Sequence, residues 1–184
     1  MEKIKRKTFT KVSRSESKMG IFDIFKKKKE TNVKTKKGIL SPTNGEILDI
    51  SQVPDEVFSQ KMMGDGFAIK STDGMILSPV DGTVEMVFDT KHAVGLKSND
   101  GLEILIHLGI DTVNLKGEGF EVFVAQGDKV SAGDKLIKMD VDFIQKNAKS
   151  DISPVIFTNL EDNKTVKVKT GNVEAKEANR IEVL

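Results

Sequence analysis

From Gly38 to the C-terminus, apolar residues fall in short runs, several alternating with polar ones, and each run ends within a few positions in turn chemistry. The interrupting pairs are Asn44-Gly45, Asp65-Gly66, Asp73-Gly74, Asp81-Gly82, Asp100-Gly101 and Gly127-Asp128. Gly supplies positive φ, and Asn and Asp bond their own backbone, so these pairs mark turns. The segments between them predict strands over Gly45 to Ile50, Phe67 to Lys70, Thr83 to Phe88, Ala93 to Lys97, Leu102 to Leu108, Phe120 to Val124 and Val166 to Lys169. Their spacing predicts an all-β fold, an antiparallel sandwich or barrel with one or two short helices. The helical candidates are Asp142 to Ala148, acidic at its start and closed by Lys146 and Lys149, and a turn around Asp55 to Ser59.

A degenerate repeat runs through the pattern: Ile39-Leu-Ser-Pro-Thr-Asn-Gly-Glu-Ile47 returns as Ile76-Leu-Ser-Pro-Val-Asp-Gly-Thr-Val84. Ser-Pro followed by Asn-Gly or Asp-Gly is a turn before a new strand, so the repeat predicts two β-units of one design rather than a site. Together with Gly127 to Leu136 it is similar to the half-motifs of biotinyl and lipoyl carrier domains, which present a modified Lys at a hairpin tip. Lys138-Met139 is the one comparable pair, and the sequence after it, Asp140-Val-Asp-Phe-Ile, reads as a helix start. A swinging-arm carrier at Lys138 is therefore the rival to the reading developed below.

Charge divides the chain. Residues 1–37 hold 14 Lys or Arg against 4 Asp or Glu, and residues 38–184 hold 15 against 24, so a tail of about +10 precedes a body of −9. Such a tail buries too little apolar surface to offset its ordering entropy, which predicts disorder over 1–37 and one domain over 38–184. Ile21, Phe22, Ile24 and Phe25, followed by Lys26 to Lys29, form a short amphipathic stretch near 20–29 suited to weak contact with a membrane surface. Met19 is a second candidate start. The acidic body argues against nucleic-acid binding. The absence of Cys excludes disulfides and thiolate metal sites and fits the cytosol, and no apolar run is long enough for a membrane span. A soluble, cytoplasmic monomer is expected.

With neither Cys nor Tyr, group-transfer chemistry falls to the two histidines, His92 and His107, both read as strand residues. Ser98-Asn-Asp-Gly101 reads as a hairpin turn pairing strand 92–97 with strand 102–108. With Asn99-Asp100 as the central pair, His92 lies opposite His107; with Asp100-Gly101, the two are diagonal neighbours. Either register puts both imidazoles on one face, Cβ atoms about 4.5–5.5 Å or 7–8 Å apart. Alternation assigns Ile104, Ile106 and Leu108 to the core and Glu103, Leu105 and His107 to the other face, where Val94 joins Leu105. That face is expected to be open and partly apolar, as a protein-docking surface is. Gly109 is expected to leave room for a partner. Two imidazoles fall short of the three protein ligands a catalytic zinc needs, but a neutral imidazole can attack phosphorus while a second donates an N–H to the phosphoryl oxygens.

Gly101-Leu-Glu-Ile-Leu-Ile-His107-Leu-Gly-Ile-Asp-Thr-Val113 closely resembles the phosphorylation-site signature of the glucose-type enzyme IIA family of bacterial sugar phosphotransferase systems. The resemblance continues through Pro54 to Phe58, Met63 to Ile69, Ser78 to Val84, Thr90-Lys-His92, Leu115 to Phe120 and Ser153-Pro-Val155, and so covers nearly all of 38–184. It implies an antiparallel β-sandwich in which His107 takes a phosphoryl group from the histidine-containing phosphocarrier protein and gives it to the IIB part of a IIB/IIC sugar permease of the glucose or N-acetylglucosamine class. His92 would be the supporting imidazole and Thr90 the hydroxyl that orients it. Phe58, Phe88, Val94 and Leu105 would form the apolar ring for partners, with Asp55 and Asp111 as its acidic rim. Leu105 stands where many members carry Phe, which bears on partner preference. No cofactor is required beyond the covalent phosphohistidine; some members bind zinc through both histidines and a partner's carboxylate, which His92 and His107 would permit.

Overall fold

In a computed structural model of the protein, which describes residues 38–184, the chain forms strands β1 (Gly45–Asp49), β2 (Asp65–Ser71), β3 (Met75–Leu77), β4 (Gly82–Val87), β5 (Ala93–Ser98), β6 (Glu103–His107), β7 (Phe120–Val122), β8 (Lys129–Val130), β9 (Lys135–Met139), β10 (Ser153–Phe157), β11 (Val166–Val168), β12 (Gly171–Val173) and β13 (Ile181–Val183). Helices α1 (Glu56–Ser59) and α2 (Val141–Asn147) and two 3-10 turns, Ile50–Gln52 and Thr112–Leu115, complete it. The basic tail, its stretch near 20–29 and Met19 lie outside the described residues. Among those residues no helix is long and apolar enough to cross a membrane.

The all-β expectation holds. Eight strands form one antiparallel sheet in the order β12-β1-β2-β10-β6-β5-β4-β8, and β3-β9-β7 form a second. The main core gathers Phe67, Ile69, Ile104, Ile106, Val155 and Phe157 from the large sheet with Ile76, Phe120, Ile137 and Met139 from the small one. The intervening residues of the same strands turn the other way: Leu48, Ala68, Leu105 and Ile156 form a second, smaller cluster under Ile50, Val53 and Phe58. Central strands of the large sheet are therefore buried on both faces, a property usually associated with near-continuous apolar runs such as Val155-Ile-Phe157. That is why β10 shows no alternation to read, and Pro154 further disguises it; the proline sits before the stretch, Val155 to Phe157, that pairs with β6.

The repeat serves the fold, as its turn chemistry predicts. Ser41 and Ser78 each donate a hydroxyl to the carbonyl two residues on, Thr43 at 2.9 Å and Val80 at 2.6 Å. The two copies also bond each other, Leu40 N–H to Pro79 carbonyl (3.0 Å) and Leu77 N–H to Pro42 carbonyl (2.7 Å).

The hairpin between β5 and β6 is where expectation and structure part. Its turn has three residues, not two: Ser98 N–H donates to the Leu102 carbonyl and Gly101 N–H to the Ser98 carbonyl, both at 2.9 Å, while Leu102 N–H reaches Ser98 Oγ at 2.9 Å. Gly101 takes the positive φ, 91°, that closes such a loop. The extra residue moves the register by one, so Ala93 rather than His92 stands opposite His107, and Val94 opposite Ile106. Val94 accordingly points into the main core, fully buried, and does not line the histidine face.

Candidate functional site

By strand parity the observed register would send His92 into the main core with Val94's neighbours. It escapes because β5 begins only at Ala93. Lys91 adopts φ 56° after a turn closed by its N–H to the Phe88 carbonyl (2.7 Å), which swings His92 out of the alternation while its carbonyl still accepts from Leu108 N–H at 2.7 Å. The ring centroids of His92 and His107 end 4.9 Å apart at an interplanar angle of 76°. The two imidazoles do meet, by a backbone kink rather than by cross-strand pairing.

Each ring is wedged by an aromatic and held by one hydrogen bond. Phe58 from α1 lies 5.1 Å from the His107 ring, and Phe88 stands edge-on to His92 at 5.2 Å. Thr90 Oγ1 is 2.6 Å from His92 Nδ1, within hydrogen-bond distance of that imidazole. His107 Nδ1 lies 2.8 Å from the Gly109 carbonyl. A carbonyl only accepts, so His107 Nδ1 carries the proton and Nε2 is left with its lone pair. Gly109 is not a gap for a partner: it is buried, with φ 72°, and a Cβ there would meet Thr112 Cγ2 at 2.7 Å and the Ser150 carbonyl oxygen at 2.8 Å. Glycine is needed so that the loop can turn and present this carbonyl to the ring.

Burial pushes His92 down to about 4, helped by the neighbouring His107. His107 is also held below the ordinary histidine value, by burial first, while the Gly109 carbonyl and the charges of Asp55 and Asp111 pull it partly back. Both rings are therefore neutral at pH 7, and positive charge developing on His107 would find those three acceptors facing it. Asp55 gets its place by capping α1, accepting from Val57 N–H at 2.9 Å; Asp111 sits in the left-handed region at φ 63°.

The face is less open than expected. Leu105 is 2% exposed and His92 3%, so the rings lie at the floor of a small apolar cluster, with His107 half-buried. Two large apolar side chains that sequence reasoning did not single out are exposed on flanking segments: Met62, 70% exposed after α1, and Val113, 44% exposed beyond Asp111. An exposed position leaves no mark in an irregular segment, and only the structure distinguishes them.

Lys138 does not sit at a hairpin tip. It lies within β9, paired with Met75 on one side and Glu121 on the other, and Asp140 then caps α2. A swinging-arm presentation is not built there. Among the described residues no group of three or more His, Asp or Glu is placed to hold a metal ion.

Comparison with known proteins agrees with this architecture. Residues 37–163 match the family described as phosphoenolpyruvate-dependent sugar phosphotransferase system, EIIA 1. The chain is 50% identical over 145 residues to the PTS system glucose-specific EIIA component of Staphylococcus epidermidis, covering 79% of this chain and 86% of that protein. It is 50% identical over 138 residues to its Staphylococcus aureus counterpart, covering 75% and 83%. The solved structure of glucose permease IIA from Mycoplasma capricolum superposes with a TM-score of 0.75 at 41% identity, over 83% of this chain and 99% of that one. With a sandwich of the same fold carrying a close pair of imidazoles on its outer face, the chain belongs to the EIIA 1 family of the phosphoenolpyruvate-dependent sugar phosphotransferase system and is a phosphotransferase component of sugar uptake.

Proposed function

We propose that His107 accepts a phosphoryl group from the histidine-containing phosphocarrier protein and passes it to the IIB part of a sugar permease, glucose being the sugar named in its relatives. The observation that carries this reading is the bond from His107 Nδ1–H to the Gly109 carbonyl, which leaves Nε2 as a neutral nucleophile at pH 7. Its lone pair forms the new P–N bond as the donor's bond to phosphorus breaks, and the donor imidazole leaves with that electron pair. Because Nδ1 keeps its proton, the phosphorylated ring gains positive character, which the Gly109 carbonyl, Asp55 and Asp111 stabilise. Onward transfer reverses the step on the IIB acceptor.

Thr90 donates its hydroxyl to His92 Nδ1, placing the His92 proton on Nε2 as a donor to the phosphoryl oxygens. Phe58, Phe88 and Leu105 form the floor on which a partner docks, Met62 and Val113 extend it outward, and Asp55 and Asp111 rim it. The −9 body suits a basic phosphocarrier. The protein acts as a monomer on the cytoplasmic side of the membrane and needs no resident cofactor. Zinc could be held at His92 and His107 only with a carboxylate from a partner.

The test is incubation of the full chain with labelled phosphoenolpyruvate and the general phosphotransferase proteins. Acid-labile label on His107, discharged by the permease and its sugar, is expected; label at another residue, or none, overturns the reading.

A further inference from the structure

The acceptor role of His107 depends on which ring nitrogen bears the proton, and one carbonyl decides that. Gly109, which supplies it, belongs to the residue type with the softest backbone, so its direction must be fixed from outside. Both peptide planes beside its Cα are held. The plane that contains the Gly109 carbonyl also contains the Ile110 N–H, which donates to the Ser150 carbonyl at 2.8 Å. The plane before it joins Leu108 to Gly109 and is gripped at both edges by side-chain hydroxyls. Gly109 N–H donates to Ser153 Oγ at 3.0 Å, and the Leu108 carbonyl accepts from Thr112 Oγ1 at 2.7 Å. Ser153 spends its own proton on the Asp151 carbonyl at 3.1 Å, which leaves its oxygen as acceptor for Gly109. Ser153 is 1% exposed and Thr112 fully buried, so both bonds are shielded from bulk water.

We infer that Ser153 and Thr112 are positioning residues for phosphoryl transfer: their two hydroxyls lock the Leu108–Gly109 peptide so that the Gly109 carbonyl keeps the proton on Nδ1 of His107 and its Nε2 free. Neither hydroxyl touches the imidazole. They act through one backbone unit, joining strand β10 to the loop after β6. Without the clamp only the Ile110–Ser150 bond directs the carbonyl, its aim at Nδ1 loosens, the ring samples the tautomer with its proton on Nε2, and that fraction cannot attack phosphorus. The inference rests on His107 as acceptor, but its primary readout does not need phosphoryl transfer.

The experiment uses the full chain labelled at the histidine ring nitrogens, whose tautomers are resolved by long-range proton–nitrogen NMR; the chain has only two histidines. The wild type should show His107 protonated on Nδ1 alone. Ser153→Ala and Thr112→Val should each give averaged His107 nitrogen shifts and slow acceptance by about threefold to tenfold, the scale of one buried hydrogen bond. Ser153→Thr and Thr112→Ser keep the hydroxyls and should restore both readouts. Thr112→Val preserves shape and volume, which secures the test should Ser153→Ala fail to fold. Wild-type ring-nitrogen shifts in the hydroxyl-less variants that fold would overturn the inference. Shifted tautomers with no labelling of His107 even in the wild type would overturn the acceptor reading and leave the clamp standing.

Discussion

The two faces of the eight-stranded sheet bury side chains from the same strands to different ends. On the inner face Ile104, Ile106 and their neighbours pack against the small sheet as a large apolar core. On the outer face Leu105, Ala68 and Ile156 pack under α1 in a cluster that also encloses two imidazoles and one hydrogen bond to each. The first cluster needs volume and fills it; the second has to keep water away from rings whose protons must sit on chosen nitrogens. Substitutions of apolar residues on the inner face should therefore cost stability and spare chemistry, and those on the outer face should disturb chemistry whether or not they also cost stability.

The largest effect tests the outer face directly. His107→Ala should abolish phosphoryl acceptance, because the other imidazole there, His92, has its Nδ1 tied to Thr90 and, in the proposed arrangement, its proton on Nε2, while the half-buried ring contributes little to the core. Labelling from phosphoenolpyruvate, read beside a thermal melt, checks both halves. A stably labelled His107→Ala protein would break the assignment.

Next in size is His92→Gln. The nucleophile and its Gly109 carbonyl stay in place, so acceptance should persist, but the second N–H to the phosphoryl group is lost or displaced. A donor removed from developing charge costs about 2.7–4 kcal/mol, so transfer to the IIB acceptor should slow on the order of a hundredfold. Single-turnover discharge of the labelled protein measures this, and an unchanged rate would remove His92 from the mechanism.

A smaller contrast comes from two neighbours in β6 that point opposite ways. Ile104→Ala, on the inner face, should lower unfolding stability by about 2–5 kcal/mol and leave acceptance per folded molecule unchanged. Leu105→Ala should lose stability within the same range but also admit water to the rings, raising both histidine pKa values toward the ordinary range. Urea unfolding and histidine titration by NMR separate the two; equal titration curves would mean that the faces are not distinct in kind.

Much of this was legible in the chain. Alternation through Ile104-Leu-Ile-His107 assigns the two faces correctly, and the two helices fall within a residue of Asp142 to Ala148 and within Asp55 to Ser59. The turn after Ser98 was not legible, because Asn-Asp-Gly serves a two-residue or a three-residue loop equally well, and the choice shifts every partner by one. Val94 was placed on the wrong face for that reason alone. His92 reaches the site through Lys91 at positive φ, a conformation that a lysine does not advertise. Strands β3, β8, β12 and β13 are too short to show a period. The clamp on Gly109 joins Leu108 and Thr112 to Ser153 across the fold, so local pattern could not reveal it; Ser153 reads there only as the start of an apolar run.

The smallest effect is a slope, and the sparse histidines make it clean. His92 titrates near 4 in the folded protein against 6.5 for an ordinary histidine, and His107 is shifted in the same direction. Between about pH 4 and 6.5 the unfolded chain therefore binds protons that the native site refuses. Stability rises with pH wherever the unfolded state holds more protons, so the contribution is complete above pH 6.5 and is lost progressively as pH falls toward 4. Each ring can add at most about 1.4 kcal/mol per pH unit. The shifted carboxylates, Asp49 and Asp73, are held below their usual 3.8, so their loss of stability comes at lower pH and leaves the histidine window clear. Urea midpoints for the wild type should fall from pH 6.5 to 4.5, and His92→Gln, which deletes one of the two rings, should give a shallower line. A flat wild-type profile in that interval, or one that rises as pH falls, would mean that the imidazoles are not kept neutral by burial, and the distinction between the two faces of the sheet would lose its electrostatic half.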